Sequence, residues 1–162
     1  MISPAGPEPL ARGDVLMLDT GAVLKGYFCD FDRNFAIGPT SDAARRAHDA
    51  LWRASEHALE HLRPGMVAAD AHRLLAAGLK MAGHAPLDGR LGHGLGITLT
   101  EWPSFTPLDR TELREGMVLT LEPGMEVAPG RIMVHEENLV LRADGPELLC
   151  RRTPPQLPQI GP

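Results

Sequence analysis

Apolar positions along this chain follow two periods. Val15 to Asp19 is an almost unbroken apolar run, and Tyr27 to Ile37 is aromatic and apolar but carries Asp30, Asp32 and Arg33. Gly116 to Glu122, Ile132 to Glu136, Leu139 to Arg142 and Glu147 to Cys150 are further short runs of this kind. Short apolar runs bounded by Gly, Pro and Asp predict strands. The first has no polar alternation, so burial on both faces is expected. Between the runs the period changes. Ala44, Ala47, Leu51, Ala54, Ala58 and Leu62 recur every three or four residues, predicting a long amphipathic helix. Ser41 supplies its N-cap, Asp42 favours the dipole, and Pro64-Gly65 ends it. Ala71, Leu74, Leu75, Leu79 and Ala82 predict a second helix from about Ala69 to Ala82, with Gly83 as its stop. Gly78 lies inside that helix at a cost of about 1 kcal/mol relative to Ala. His84 to Gly96 reads as loop, and Ile97 to Thr100 as a short strand closed by Glu101-Trp102-Pro103. Residues 1–13 form an irregular lead-in, and 151–162 a Pro-rich tail draped over the surface. The class expected for 1–162 is α+β.

Two hairpins carry the candidate chemistry. A turn centred near Leu24 and Lys25 sets Asp19 opposite Asp30. Directly opposed residues have Cβ atoms roughly 4.5–5.5 Å apart, where like charges destabilise a sheet. A divalent cation shared by both carboxylates offsets that repulsion; one turn aspartate and one solvated aspartate is the competing reading. A second hairpin, Thr120 to Asn138, turns at Pro129-Gly130 and places Glu122 opposite Glu136 within about one residue. His93 lies between the hairpins in GRLGHGLG, where glycines allow close backbone approach. Four carboxylates and one imidazole make a bed for two divalent metals, which about 3.5–4 Å apart activate a bridging water. Arg33 serves either as a donor orienting a carboxylate or as half of a surface ion pair. His48, His57 and His61 sit among charges without an HExxH motif, so a solvated helix face accounts for them.

Composition narrows the class. A net charge of −5 argues against a nucleic-acid partner. No apolar run is long enough to span a membrane, and no charged and apolar leader opens the chain. Two cysteines, Cys29 and Cys150, make no disulfide framework, which favours a reducing, cytoplasmic setting.

With these residues in view, the chain resembles the methionine aminopeptidase and Xaa-Pro peptidase superfamily, with its creatinase-like, pita-bread fold. The resemblance covers Gly13 to Leu149 and rests on LDTG, GYFCDFDRNFAIG, GHGLG, TLEPG and HEEN in the family's order. It implies a curved, mostly antiparallel sheet with helices on its outer face. It also implies that Asp19 and Asp30 hold one metal and His93 and Glu122 the other, with Asp30 and Glu136 bridging. Glu122 would be general base in a metal-dependent hydrolysis of peptide or amide C–N bonds. Carboxylate-rich ligation with one His suits Mn²⁺, Co²⁺, Fe²⁺ or Zn²⁺.

Three departures from the family pattern bear on function. The peptidase branches carry a histidine seven residues after the metal-binding one; here that position is Thr100. A hydroxyl donates a hydrogen bond but does not carry a proton at neutral pH. Val134 stands where Xaa-Pro peptidases often have arginine. Thr100 and Val134 favour a small-molecule amide or amidine hydrolase, creatinase-like or ectoine-hydrolase-like, beside the Xaa-Pro dipeptidase reading. Thr100, Glu101 and Trp102 are the expected substrate-side residues. Finally, only Met1 to Leu18 precede Asp19, so the chain reads as the C-terminal portion of the catalytic fold. An exposed sheet edge would then favour a homodimer, and an inactive, truncated domain is the non-enzymatic alternative.

Overall fold

A computed structural model describes residues 6–161. The first hairpin joins β1 (Val15–Leu24) to β2 (Tyr27–Ile37) through the two-residue turn Lys25-Gly26. Both turn residues have positive φ, 52° and 87°, the geometry that matches the twist of paired strands. Leu24 therefore faces Tyr27, and the register sets Asp19 against Asp32 and Gly21 against Asp30. The expected opposition of Asp19 and Asp30 is corrected: the turn lies one residue further along, because Lys25 takes a left-handed conformation that lysine does not advertise. Burial of the first strand on both faces is corrected too. β1 is an edge strand, and its residues from Leu18 onward are exposed.

Helix α1 (Asp42–His61) follows, with the Ser41 hydroxyl accepting from the Ala44 N–H at 3.2 Å. The predicted apolar face is buried, and His48 is buried with it at 0% exposure. A solvated His48 is therefore corrected: it stands four residues after Ala44 and three before Leu51, on the core stripe. Its Nε2 lies 3.1 Å from the Pro154 carbonyl oxygen. Helix α2 (Ala68–Met81) packs on α1, and a Cβ at Gly78 would stand 2.5 Å from the Ala54 Cα. Gly78 is there to let the two helices touch.

The remaining strands are β3 (Gly92–Gly94), β4 (Glu101–Ser104), β5 (Val118–Leu121), β6 (Gly124–Ala128), β7 (Arg131–Val134), β8 (Glu137–Arg142), β9 (Gly145–Leu148) and β10 (Gln159–Ile160). Two expectations change here. The GHG segment is strand rather than loop, and Ile97–Thr100 is a series of bends that leads into a strand starting at Glu101. Strands β4-β3-β5-β8-β9 form a five-stranded antiparallel sheet, β1-β2-β10 a three-stranded one, and β6-β7 a separate pair.

The second acid-bearing hairpin keeps one register but breaks in the middle. Leu121 pairs with Glu137 in one sheet and Gly124 with Val134 in the other. The gap falls at Glu122-Pro123 and His135-Glu136, where proline has no N–H to give to a ladder. The His135 N–H donates to the Pro123 carbonyl at 3.1 Å and carries the register across the break.

Alternation then sorts the sheet faces. Leu119, Leu121, Leu139 and Leu141 join Leu62 and Leu75 of the helical side, and Phe105 just past β4, in one buried cluster. Burying each leucine stabilises the fold by about 1.5–3 kcal/mol. Thr120 and Asn138 consequently face the other way. The tail is anchored rather than merely draped: β10 pairs in parallel with Ala36 and Ile37, and the Trp52 indole donates to the Thr153 carbonyl.

Candidate metal centre

The face opposite the helices gathers the acids. On β2, residues two apart share a face, so Asp30, Asp32 and Asn34 lie together, and Asp19 joins them as the cross-strand partner of Asp32. β2 is stitched to β8 by Asn138, whose Nδ2 donates to the Asp30 carbonyl and whose Oδ1 accepts from the Asp30 N–H at 3.2 Å. From the hairpin break come Glu122 and Glu136. His93 enters on β3, squeezed between neighbours. A Cβ at Gly92 would stand 2.3 Å from the Thr120 oxygen, and one at Gly94 2.4 Å from the Trp102 oxygen. Only glycines let β3 sit that close on both sides of His93.

Ligand atoms of Asp30, His93 and Glu136 lie within 4.8 Å of one another. His93 Nε2 is 3.8 Å from Asp30 Oδ2 and 3.8 Å from Glu122 Oε2. Its other nitrogen, Nδ1, lies 2.8 Å from the Gly94 carbonyl oxygen. A carbonyl only accepts, so Nδ1 carries the proton of the neutral ring and Nε2 presents a lone pair. Burial pushes the imidazole pKa below its ordinary value, which favours that neutral form. A lone pair thus faces two carboxylates, and His93 Nε2 and Glu122 Oε2 are both buried without a hydrogen-bond partner. A divalent cation placed among them satisfies all three groups, so the donor set fits a metal.

Electrostatics agree. Burial raises the Glu136 carboxyl to about 9, against the Thr120 hydroxyl that donates to its Oε1 at 2.7 Å. Asp30 and Glu122 are raised chiefly by burial, Asp30 further by the charge of Asp19. Arg90, 3.6 Å from Glu122, pulls the other way.

Asp32 is the acid that motif reading passes over. It is 3% exposed, its Oδ1 has no partner, and burial plus the charges of Asp19, Glu122 and Asp30 raise it to about 7. The signal for it was the strand period: a residue two after Asp30 shares its face. Thr120 and Asn138 were likewise visible as polar residues on otherwise apolar strands. Arg33 takes the first of its two expected roles, a donor that orients a carboxylate. Its guanidinium pairs with the buried Glu137 at 3.2 Å and donates to the backbone carbonyls of Asp32 and Glu136.

The substrate-side candidates sit apart from this cluster. Thr100 is exposed on the bend before β4, and its carbonyl accepts from the Thr98 hydroxyl. Glu101 accepts from the Thr98 N–H at 2.8 Å and so shapes that bend. Trp102 is 75% exposed and lines an open groove with Glu101, Tyr27, Phe28 and Ile97. Across that groove's floor the Phe28 N–H donates to the Gly96 carbonyl at 2.8 Å.

Comparison with known proteins gives a consistent assignment. The model of metallopeptidase family M24 matches residues 2–143. The Xaa-Pro dipeptidase of Pyrococcus furiosus is 30% identical over 149 residues, 91% of this chain and 42% of the relative. Among solved structures, the prolidase from Pyrococcus furiosus superposes with TM-score 0.86 at 28% identity, over 93% of this chain and 45% of that one. Dipeptidase PepE from Mycobacterium ulcerans gives 0.85 at 31%, over 93% and 41%. The pita-bread fold expected from the sequence is the one observed. The chain spans about two-fifths of the length of these relatives.

Proposed function

Because the chain belongs to metallopeptidase family M24, we propose that its acid cluster is a divalent-metal centre for hydrolysis of peptide C–N bonds, of the Xaa-Pro dipeptidase kind. The observation that carries the reading is the His93 lone pair directed at the carboxylates of Asp30 and Glu122 with no hydrogen bond joining them. Asp19, Asp30, His93, Glu122 and Glu136 are the proposed ligands of two ions, Mn²⁺, Co²⁺, Fe²⁺ or Zn²⁺. When bound, such ions polarise a scissile carbonyl and lower the pKa of water.

The protein's own groups do the rest. Glu122 accepts a proton from the attacking water as it adds to the carbonyl carbon, then returns it to the departing nitrogen as the C–N bond breaks. Arg90, 3.6 Å from Glu122, favours its ionised form. Thr120 keeps Glu136 oriented and favours its ionised form. Glu101 and Trp102 form the proposed substrate wall, with Thr100 on the exposed bend that leads into it. A second reading, a small-molecule amide or amidine hydrolase, is favoured by Thr100 in place of imidazole and Val134 in place of guanidinium.

The test is Mn²⁺ content by elemental analysis of the full chain and its Asp30→Asn variant, with a screen of Xaa-Pro dipeptides against cyclic amidines. Mn²⁺ retained by the parent and lost from the variant is expected, with turnover of one substrate class. Equal metal content in both sinks the ligand assignment. Metal bound without turnover of either class identifies a non-catalytic domain.

A further inference from the structure

A second group of metal-ligating side chains stands on the outer helix, separate in sequence from the acid cluster. We propose that His57, Glu60 and His61 form a site for a borderline-soft divalent cation of the Zn²⁺ type.

The three residues fall at i, i+3 and i+4 of α1, positions that neighbour one another on a helix surface. Their ligand atoms lie within 4.8 Å of one another, and the two imidazole rings are 4.4 Å apart. His61 is already held as a ligand would be. Its Nδ1 lies 2.8 Å from the His57 carbonyl oxygen, so that nitrogen carries the proton and Nε2 offers its lone pair. Metal-binding imidazoles are oriented by this same donation of the far N–H to a carbonyl.

The surroundings favour a cation. His61 is the last residue of α1, where the helix dipole contributes partial negative charge. Two guanidiniums of this surface are paired with other acids, Arg53 with Asp49 and Arg152 with Glu56, and Glu60 makes no ion pair among the described residues. His57 and Glu60 also line an open groove with Met81 and His84, which leaves room for water to complete the coordination sphere.

Donor chemistry separates this site from the acid cluster. Two imidazoles and one carboxylate suit Zn²⁺, Ni²⁺ or Cu²⁺, whereas carboxylates with a single imidazole also accept Mn²⁺. The chain would therefore sort metals between two places.

The experiment is calorimetric titration of Zn²⁺ into the full chain carrying Asp30→Asn, which disables the acid cluster. The same titration follows with His57→Ala or His61→Ala added; both positions lie off the buried core, and circular dichroism checks the helix. The expected result is a saturable Zn²⁺ site that weakens at least about tenfold in either histidine variant. Mn²⁺ binding to the otherwise unaltered chain should stay the same when either histidine is replaced. A Zn²⁺ isotherm indifferent to both histidine substitutions overturns the proposal. So does an Mn²⁺ affinity at the acid cluster that falls with them.

Discussion

The side-chain amide of Asn138 pairs with both backbone groups of Asp30, donating to its carbonyl and accepting from its N–H. It behaves as a strand partner supplied by a side chain, and it joins the two sheets where they must meet. Asp30 thereby has its Cα–Cβ direction fixed from a neighbouring strand. Replacing Asn138 by Ala removes both bonds and leaves two backbone groups unpaired in a half-buried place, at a cost of up to about 1–3 kcal/mol for each such group. The expected outcome is a lower unfolding temperature together with metal affinity reduced about tenfold or more. Thermal denaturation and Mn²⁺ titration check the two parts separately. Loss of stability with unchanged affinity would show that Asn138 serves the fold alone.

Metal-free protein should have an inverted pH response. Glu136 titrates near 9 in the folded chain against an ordinary 4.5, so the folded state keeps a proton that the unfolded state has released between those values. Stability then falls as pH rises through that window. Divalent metal, which needs the ionised carboxylates, should reverse the slope. Melting curves in EDTA and in Mn²⁺ from pH 5 to about 9 test this. A metal-free melting temperature that climbs across the window contradicts it.

Asp32 gives a sharper version of the same argument. Its carboxyl is raised from 3.8 to about 7, so its penalty is absent below the lower value and fully present above the upper. In EDTA at pH about 8, Asp32→Asn should therefore raise the melting temperature, because it removes a buried charge facing Asp19. At pH about 4 the same substitution should be close to neutral. A destabilised variant at the higher pH would mean that Asp32 is held ionised by a partner.

How far this was legible in the sequence depends on which force set each feature. The helices were legible because a 3.6-residue period and a Ser cap act locally, and Ser41 caps where expected. His93, Glu122 and Glu136 stood out by glycine, proline and acid context, and the structure brings their side chains together. The partner of Asp19 was not legible. Register depends on the turn, and Lys25 at φ 52° carries no compositional mark. His48 was misjudged because a histidine among Asp and Arg looks solvated until the tail's Pro154 carbonyl is known to reach it. The two-residue parallel strand β10 has no period to read at all. The last two misses trace to contacts between segments far apart in the chain, the first to a local turn conformation.

The Arg33 guanidinium has a consequence for the tail. The Thr153 N–H donates to Glu137 Oε1 at 3.0 Å, Arg33 grips the other oxygen of Glu137, and Arg33 also holds the Glu136 carbonyl. The tail is thus the far end of a short chain of bonds that begins at the acid cluster. Coupling between two ends of such a chain is reciprocal. The tail is therefore expected to gauge occupancy: a cation that steadies Glu136 should slow tryptic cleavage after Arg151 and Arg152. An identical cleavage rate with and without Mn²⁺ would show that the two ends move independently. A slower cleavage with Mn²⁺ would make the tail a reporter, readable on a gel, of an event some way along the chain.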